Sequence, residues 1–108
     1  MTDTRYSLRY FFDPGAGTCL WAGDAATEAR YGLAVMVHDL PVSPETRVLC
    51  DDVVAWFDTR IDWGDPGGPS QWDDAEAARF DATAARLLDA LRTDLEPGFA
   101  IADAWSGR

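Results

Sequence analysis

Lysine is absent from this 108-residue chain, so all nine basic residues are arginine. Against them stand nineteen acids, fifteen Asp and four Glu, and the formal charge is −10. The chain is also short of catalytic residue types, with one histidine and two cysteines. It has no apolar run of the length needed to span a bilayer. Each shortage argues against a class of function. Asp13-Pro14-Gly15-Ala16-Gly17-Thr18 lacks the G-x-G-x-x-G frame, and a chain without lysine cannot supply the P-loop lysine that reaches phosphates. Phosphate contacts supply most nucleic-acid affinity and need clustered cations, so neither nucleic acid nor an anionic membrane is an expected partner. The negative charge has no opposing basic face: residues 1–42 sum to −2, 43–72 to −4 and 73–108 to −4.

Cys19 and Cys50 form no C-x-x-C motif and read as small buried hydrophobes. Together with His38 they are single ligands, 19 and 12 residues apart, a poor match to zinc. Asp58, Asp62 and Asp65 share a loop and have the right ligand type for calcium, but not the D-x-D-x-D-G spacing. No metal and no cofactor are therefore expected. Nucleophilic hydrolysis needs a nucleophile, a base and a group that orients the base. His38 is the sole candidate base, and its neighbour Asp39 is too close in sequence to orient the ring. A Cys–His or Asp–His constellation exists only if folding assembles one, which leaves a small enzyme or accessory subunit of a biosynthetic pathway as the alternative reading. Paired carboxylates carry little information where aspartate is this common.

Core material, by contrast, is ample: 47% of residues are hydrophobic, and five are tryptophan. At this length one domain spanning 1–108 can bury about two thirds of its unfolded surface. Met1-Thr2-Asp3-Thr4-Arg5-Tyr6-Ser7-Leu8 shows no basic segment leading into an apolar one, so a cytoplasmic location is expected. Residues 5–12 alternate, with Tyr6, Leu8, Tyr10 and Phe12 on one face, as a strand does. Turn formers at 13–17 and an apolar resumption at Thr18–Trp21 predict a hairpin. Asp24 caps a short helix over Ala25–Tyr31 that Gly32 stops. Leu33–Val37 fits a short strand or an extended connection. Ser43-Pro44-Glu45 is a helix start, and Leu49, Val53, Trp56 and Phe57 form its expected core stripe. Asp73-Asp74-Ala75-Glu76 reads as a capping box opening a long helix to Leu95, with Phe80, Ala84, Leu87, Leu88, Leu91 and Leu95 on its apolar face. Pro97-Gly98 ends it, Phe99–Trp105 alternates as a last strand, and Ser106-Gly107-Arg108 is expected to fray. The expected fold is α+β: a small antiparallel sheet, made of the N-terminal hairpin plus the C-terminal strand, packed against two main helices and one short helix.

The segment Trp56 to Trp72 stands apart, with three tryptophans, three aspartates, two prolines and three glycines between two helices. A linker need only be short and polar, so bulky aromatics there mean that the loop packs onto its own core or onto a partner. Tryptophan buries a large area at low entropic cost and dominates binding hot spots. Asp58, Asp62, Trp63, Asp65 and Trp72 are the candidate partner-binding residues.

The strings Tyr10-Phe11-Phe12-Asp13-Pro14-Gly15-Ala16-Gly17-Thr18-Cys19-Leu20-Trp21, Asp58-Thr59-Arg60-Ile61-Asp62-Trp63 and Pro69-Ser70-Gln71-Trp72 resemble those of a group of small acidic bacterial proteins without assigned activity. That group resembles immunity proteins encoded beside toxins. The resemblance runs nearly end to end, although Gln71 replaces the proline it leads one to expect before the tryptophan. It implies neutralisation of a toxin by masking its active surface. Joined to the acidic composition, it predicts a non-enzymatic module that binds a basic protein partner.

Overall fold

A computed structural model describes residues 4–106; Met1–Asp3, Gly107 and Arg108 lie outside the described residues, and with them part of the terminus expected to fray. The element order is β1 (Tyr6–Tyr10), β2 (Leu20–Ala22), α1 (Ala25–Tyr31), β3 (Ala34–Val35), a 3-10 turn (Val37–Asp39), α2 (Pro44–Asp58), α3 (Asp74–Leu95) and β4 (Phe99–Asp103). The sheet order is β3-β2-β1-β4. The hairpin β1–β2 is antiparallel, with Tyr10 opposite Leu20, and β3 continues it antiparallel. The α+β class and the packing of sheet on helices agree with the sequence.

The direction of β4 differs from the all-antiparallel expectation: it pairs parallel to β1, Tyr6 opposite Phe99 and Leu8 opposite Ile101, so the sheet is mixed. The path of the chain explains this. Helices α2 and α3 run antiparallel, because Asp94 near the end of α3 accepts the Ser43 N–H at the start of α2 while Trp56 near the end of α2 donates to Glu76 at the start of α3. α3 therefore ends where β1 begins: Thr4 donates to the Pro97 carbonyl, and the Arg5 and Tyr6 amides donate to the Gly98 carbonyl. A strand that starts beside the start of β1 can only run the same way.

Helix boundaries follow the caps. Asp24, Ser43 and Asp73 each accept the first-turn amide three residues on, and Pro44 occupies the first turn of α2. Glu76 does not complete the expected capping box; its carboxylate takes the Trp56 indole N–H at 2.9 Å instead. The core lies between α2, α3 and the sheet face bearing Leu8, Tyr10, Leu20 and Ile101, all buried. On α2 the fully buried positions are Thr46, Cys50, Val53 and Phe57, while Leu49 and Trp56 are half-buried at its margin. Inside, the Tyr10 hydroxyl donates to the Ala84 carbonyl at 2.7 Å. Burial pushes that phenol far above its ordinary pKa, so it stays a neutral donor.

The Ser43 amide and then the Thr46 hydroxyl hold the Asp94 carboxyl below the usual carboxylate range. Its folded pKa lies under the unfolded value near 3.8, so its contribution is complete above that value and fades as pH falls through the folded pKa. Asp94→Asn is expected to lower the melting temperature at neutral pH. The gap from the parent should close in acid unfolding below about pH 3.8; a gap of constant size would assign the loss to something other than this charge.

Candidate functional site

Two loops meet at one end of the fold: the β1–β2 loop around Gly15 and the α2–α3 loop, residues 59–73. Asp58, the last residue of α2, joins them. Its Oδ1 accepts the Gly15 N–H at 3.0 Å, and its carbonyl accepts the Trp63 indole N–H at 3.2 Å. The Trp63 ring lies close against Gly15, where an added Cβ would sit 3.4 Å from it, and a φ of 75° there favours glycine. Beyond Asp58 the loop is a series of small turns. The Gly64 amide donates to Asp62 Oδ1 at 2.9 Å, the Asp65 amide to the Asp62 carbonyl at 2.9 Å, and the Gly68 amide to the Asp65 carbonyl at 3.0 Å. The return strand is tied down by the Gln71 amide on the Arg60 carbonyl at 2.9 Å. Most of its conformational cost is therefore met within the chain, before any partner arrives.

The five residues singled out from the sequence divide in two. Trp72 packs on Trp56, Phe57 and Phe80, with ring centroids 5.9, 6.3 and 4.8 Å away, and its indole N–H donates to the Thr59 hydroxyl at 2.9 Å. Asp58 is half-buried and committed to the loop junction. Trp63 is 57% exposed, and Asp62 and Asp65 are exposed with it. The first pair shapes the loop, and the remaining three form its outward surface.

Sequence reasoning missed what lies beside the loop. A cleft of about 220 Å³ has Phe57, Trp72 and Trp105, Asp73, Asp74 and Asp81, and Arg60 in its lining. Trp105 comes from beyond β4, and the acids read in the sequence as helix caps and solvated positions. The i, i+3, i+7 spacing of Asp74, Ala77 and Asp81 was the available signal, since it puts both carboxylates on one face of α3.

His38 does not assemble an enzyme-like constellation with the cysteines. Its Nε2 meets the two carboxylate oxygens of Asp51 at 3.1 and 3.0 Å on the surface, whereas Cys19 and Cys50 are buried free thiols with sulfurs 3.7 Å apart. The contact with Cys50 and burial push the Cys19 thiol well above its ordinary pKa, so Cys19 supplies no ready thiolate nucleophile there. Among the described residues, no three His, Cys, Asp or Glu side chains converge as metal ligands, and no helix is long and apolar enough to cross a membrane.

The loop thus presents one exposed indole and two exposed carboxylates, those of Trp63, Asp62 and Asp65. The family model described as Serratia CdiI immunity protein-like matches residues 7–102. The chain belongs to that family. The match takes in nearly all of β1 through most of β4, so both loops lie within it, together with the cleft residues other than Trp105. Membership of this immunity protein family carries the general function, neutralising a toxin by binding a cognate toxin partner. Comparison with curated proteins finds no match.

Two substitutions separate shape from surface. Trp72→Ala is expected to destabilise the fold by about 3 kcal/mol, because it removes a large ring from an aromatic cluster. Trp63→Ala is expected to cost well under about 1 kcal/mol, as an exposed position does. Urea unfolding of both variants checks this, and equal losses would contradict the division.

Proposed function

We propose that this protein is a non-enzymatic cytoplasmic module that neutralises a basic toxin by seating it on the acidic surface at the tip of the α2–α3 loop. The observation that carries the reading is the exposed Trp63 indole, held by its N–H to the Asp58 carbonyl and flanked by the exposed carboxylates of Asp62 and Asp65. A surface aromatic already fixed in place loses little entropy on contact, which is what a hot-spot anchor needs.

Charge supplies the other half. With −10 overall and no lysine, the protein attracts a cationic partner over a Debye length of about 8–10 Å and disfavours acidic ones. Such complementarity acts mainly on encounter rate and partner choice, while the buried aromatic sets the lifetime of the complex. Asp58 and Trp72 serve the same surface from within, by fixing the loop that carries Trp63. Neutralisation then follows from occupancy, since carboxylates and an indole laid over the toxin's cationic site exclude its substrate.

The cognate toxin is the partner to use. Asp62→Arg combined with Asp65→Arg is expected to slow association at least about tenfold at low salt, with the difference narrowing as salt rises. Trp63→Ala is expected to weaken the complex by about 2 kcal/mol, chiefly through faster dissociation. Stopped-flow association and calorimetry check both. Parent-like rates and affinity in all three substitutions would remove the loop tip from the interface.

A further inference from the structure

We infer that Cys19 and Cys50 are a redox lock: under oxidising conditions they join in an intramolecular disulfide that fastens the start of β2 to the middle of α2. Contact is the first argument. The sulfurs lie 3.7 Å apart, the two residues are 0 and 2% exposed, and both thiols are free. A disulfide holds its sulfurs about 2.05 Å apart, so the pair has to close by about 1.7 Å, a shift that two short unbranched side chains can share.

Placement gives the bond its effect. Cys19 directly precedes β2, and the stretch between the two cysteines contains β2, α1, the two-residue β3 and the 3-10 turn, all short elements. Closing a loop of about 30 residues removes conformational freedom from the unfolded chain and so favours the folded one. The bond also lies beneath the junction of the candidate site. Cys19 follows the β1–β2 loop, and Cys50 shares α2 with Asp58, whose Oδ1 accepts the Gly15 N–H at 3.0 Å. Oxidation therefore ties from inside the same two segments that this hydrogen bond joins at the surface.

Hydrogen peroxide, a small two-electron oxidant, balances the chemistry. The attacked sulfur takes one peroxide oxygen as a sulfenic acid, and the other oxygen leaves as water. The second sulfur then forms the S–S bond and displaces the sulfenic hydroxyl, which departs with the remaining thiol proton as a second water. Because folding already holds the partner in contact, this second step is intramolecular and outruns competing thiols. The first step is gated by the core. With the Cys19 thiol buried and kept neutral, attack waits on local opening, so brief exposure leaves the pair reduced. A reducing compartment returns it to two thiols.

The test treats the whole protein with hydrogen peroxide, then unfolds and alkylates it for mass spectrometry, with a thermal melt in parallel. Expected are the loss of two hydrogen atoms, no alkylation of either cysteine, and one linked pair of tryptic fragments carrying Cys19 and Cys50. The melting temperature should rise by at least about 5 °C. Peroxide also oxidises methionine, which dithiothreitol does not reverse, so the part of the shift that dithiothreitol removes belongs to the bond. Cys50→Ala should show no such reversible rise. Two thiols still open to alkylation after methionine oxidation is complete, disulfides formed between chains, or a linked protein that melts no higher than the reduced one would overturn the inference. So would the same reversible rise in Cys50→Ala.

Discussion

Phe80, in the second turn of α3, has ring neighbours from most of the chain: Phe12 after β1, Trp56 and Phe57 on α2, Trp72 in the long loop and Trp105 after β4, at centroid distances between 4.8 and 6.2 Å. All five of these neighbours also meet one another, Phe57 meeting Phe12, Trp72 and Trp105, Phe12 meeting Trp105, and Trp56 meeting Trp72. Aromatic side chains bury about 150–250 Å² each and add directional ring contacts to that burial. The cluster therefore closes the end of the core where the short sheet runs out. It also sets the shape of the surface outside it, because Trp72 fixes the return of the loop, and Trp72 and Trp105 together leave the recess between them.

At the opposite end of the helix pair the constraint is polar. Ser43 and Thr46, at the start of α2, are held both by their own capping contact and by Asp94 from α3. Pinning at one end by a carboxylate and at the other by aromatic rings and the Trp56–Glu76 bond leaves α2 and α3 little freedom to slide. That rigidity matters for a protein that works by binding, since a surface already in its bound shape gives up less entropy on contact.

Local chemistry explains which parts of this could be read from the sequence. Capping residues act within one turn, so the Asp24, Ser43 and Asp73 caps placed the starts of α1, α2 and α3 correctly, and the Pro97-Gly98 pair placed the end of the last helix. The direction of β4 was not legible, because it depends on where α3 delivers the chain relative to β1, a distance of some ninety residues in sequence. On α2 the expected Val53 and Phe57 are buried, as is Cys50, read as a small hydrophobe; Leu49 and Trp56 are only half-buried at the margin, and the buried Thr46 went unread because a small hydroxyl side chain looks like a surface residue in sequence. Trp63 and Trp72 look alike in sequence, and only the packing partners of Trp72 set them apart. The cleft was illegible for the same reason as β4: Trp105 and Asp74 meet only through the fold.

The excess of aspartate over glutamate has a structural reason that bears on how the negative surface is used. A short carboxylate can accept a backbone amide two or three residues ahead, which the longer glutamate does less well. Asp24, Asp62, Asp73 and Asp103 do this at helix starts and turns, while Asp58 and Asp94 reach amides in distant segments. Asp24 and Asp103 are held below the usual carboxylate range by those contacts, Asp24 by Thr27 and Asp103 first by the Ser106 amide, so they stay charged at any pH where a toxin would be met. Much of the charge that gives the protein its acidity is thus also holding its backbone. Asp65 at the loop tip and Asp74 at the cleft take no part in these backbone contacts, so their exposed carboxylates add charge to the surface without fixing the chain beneath it.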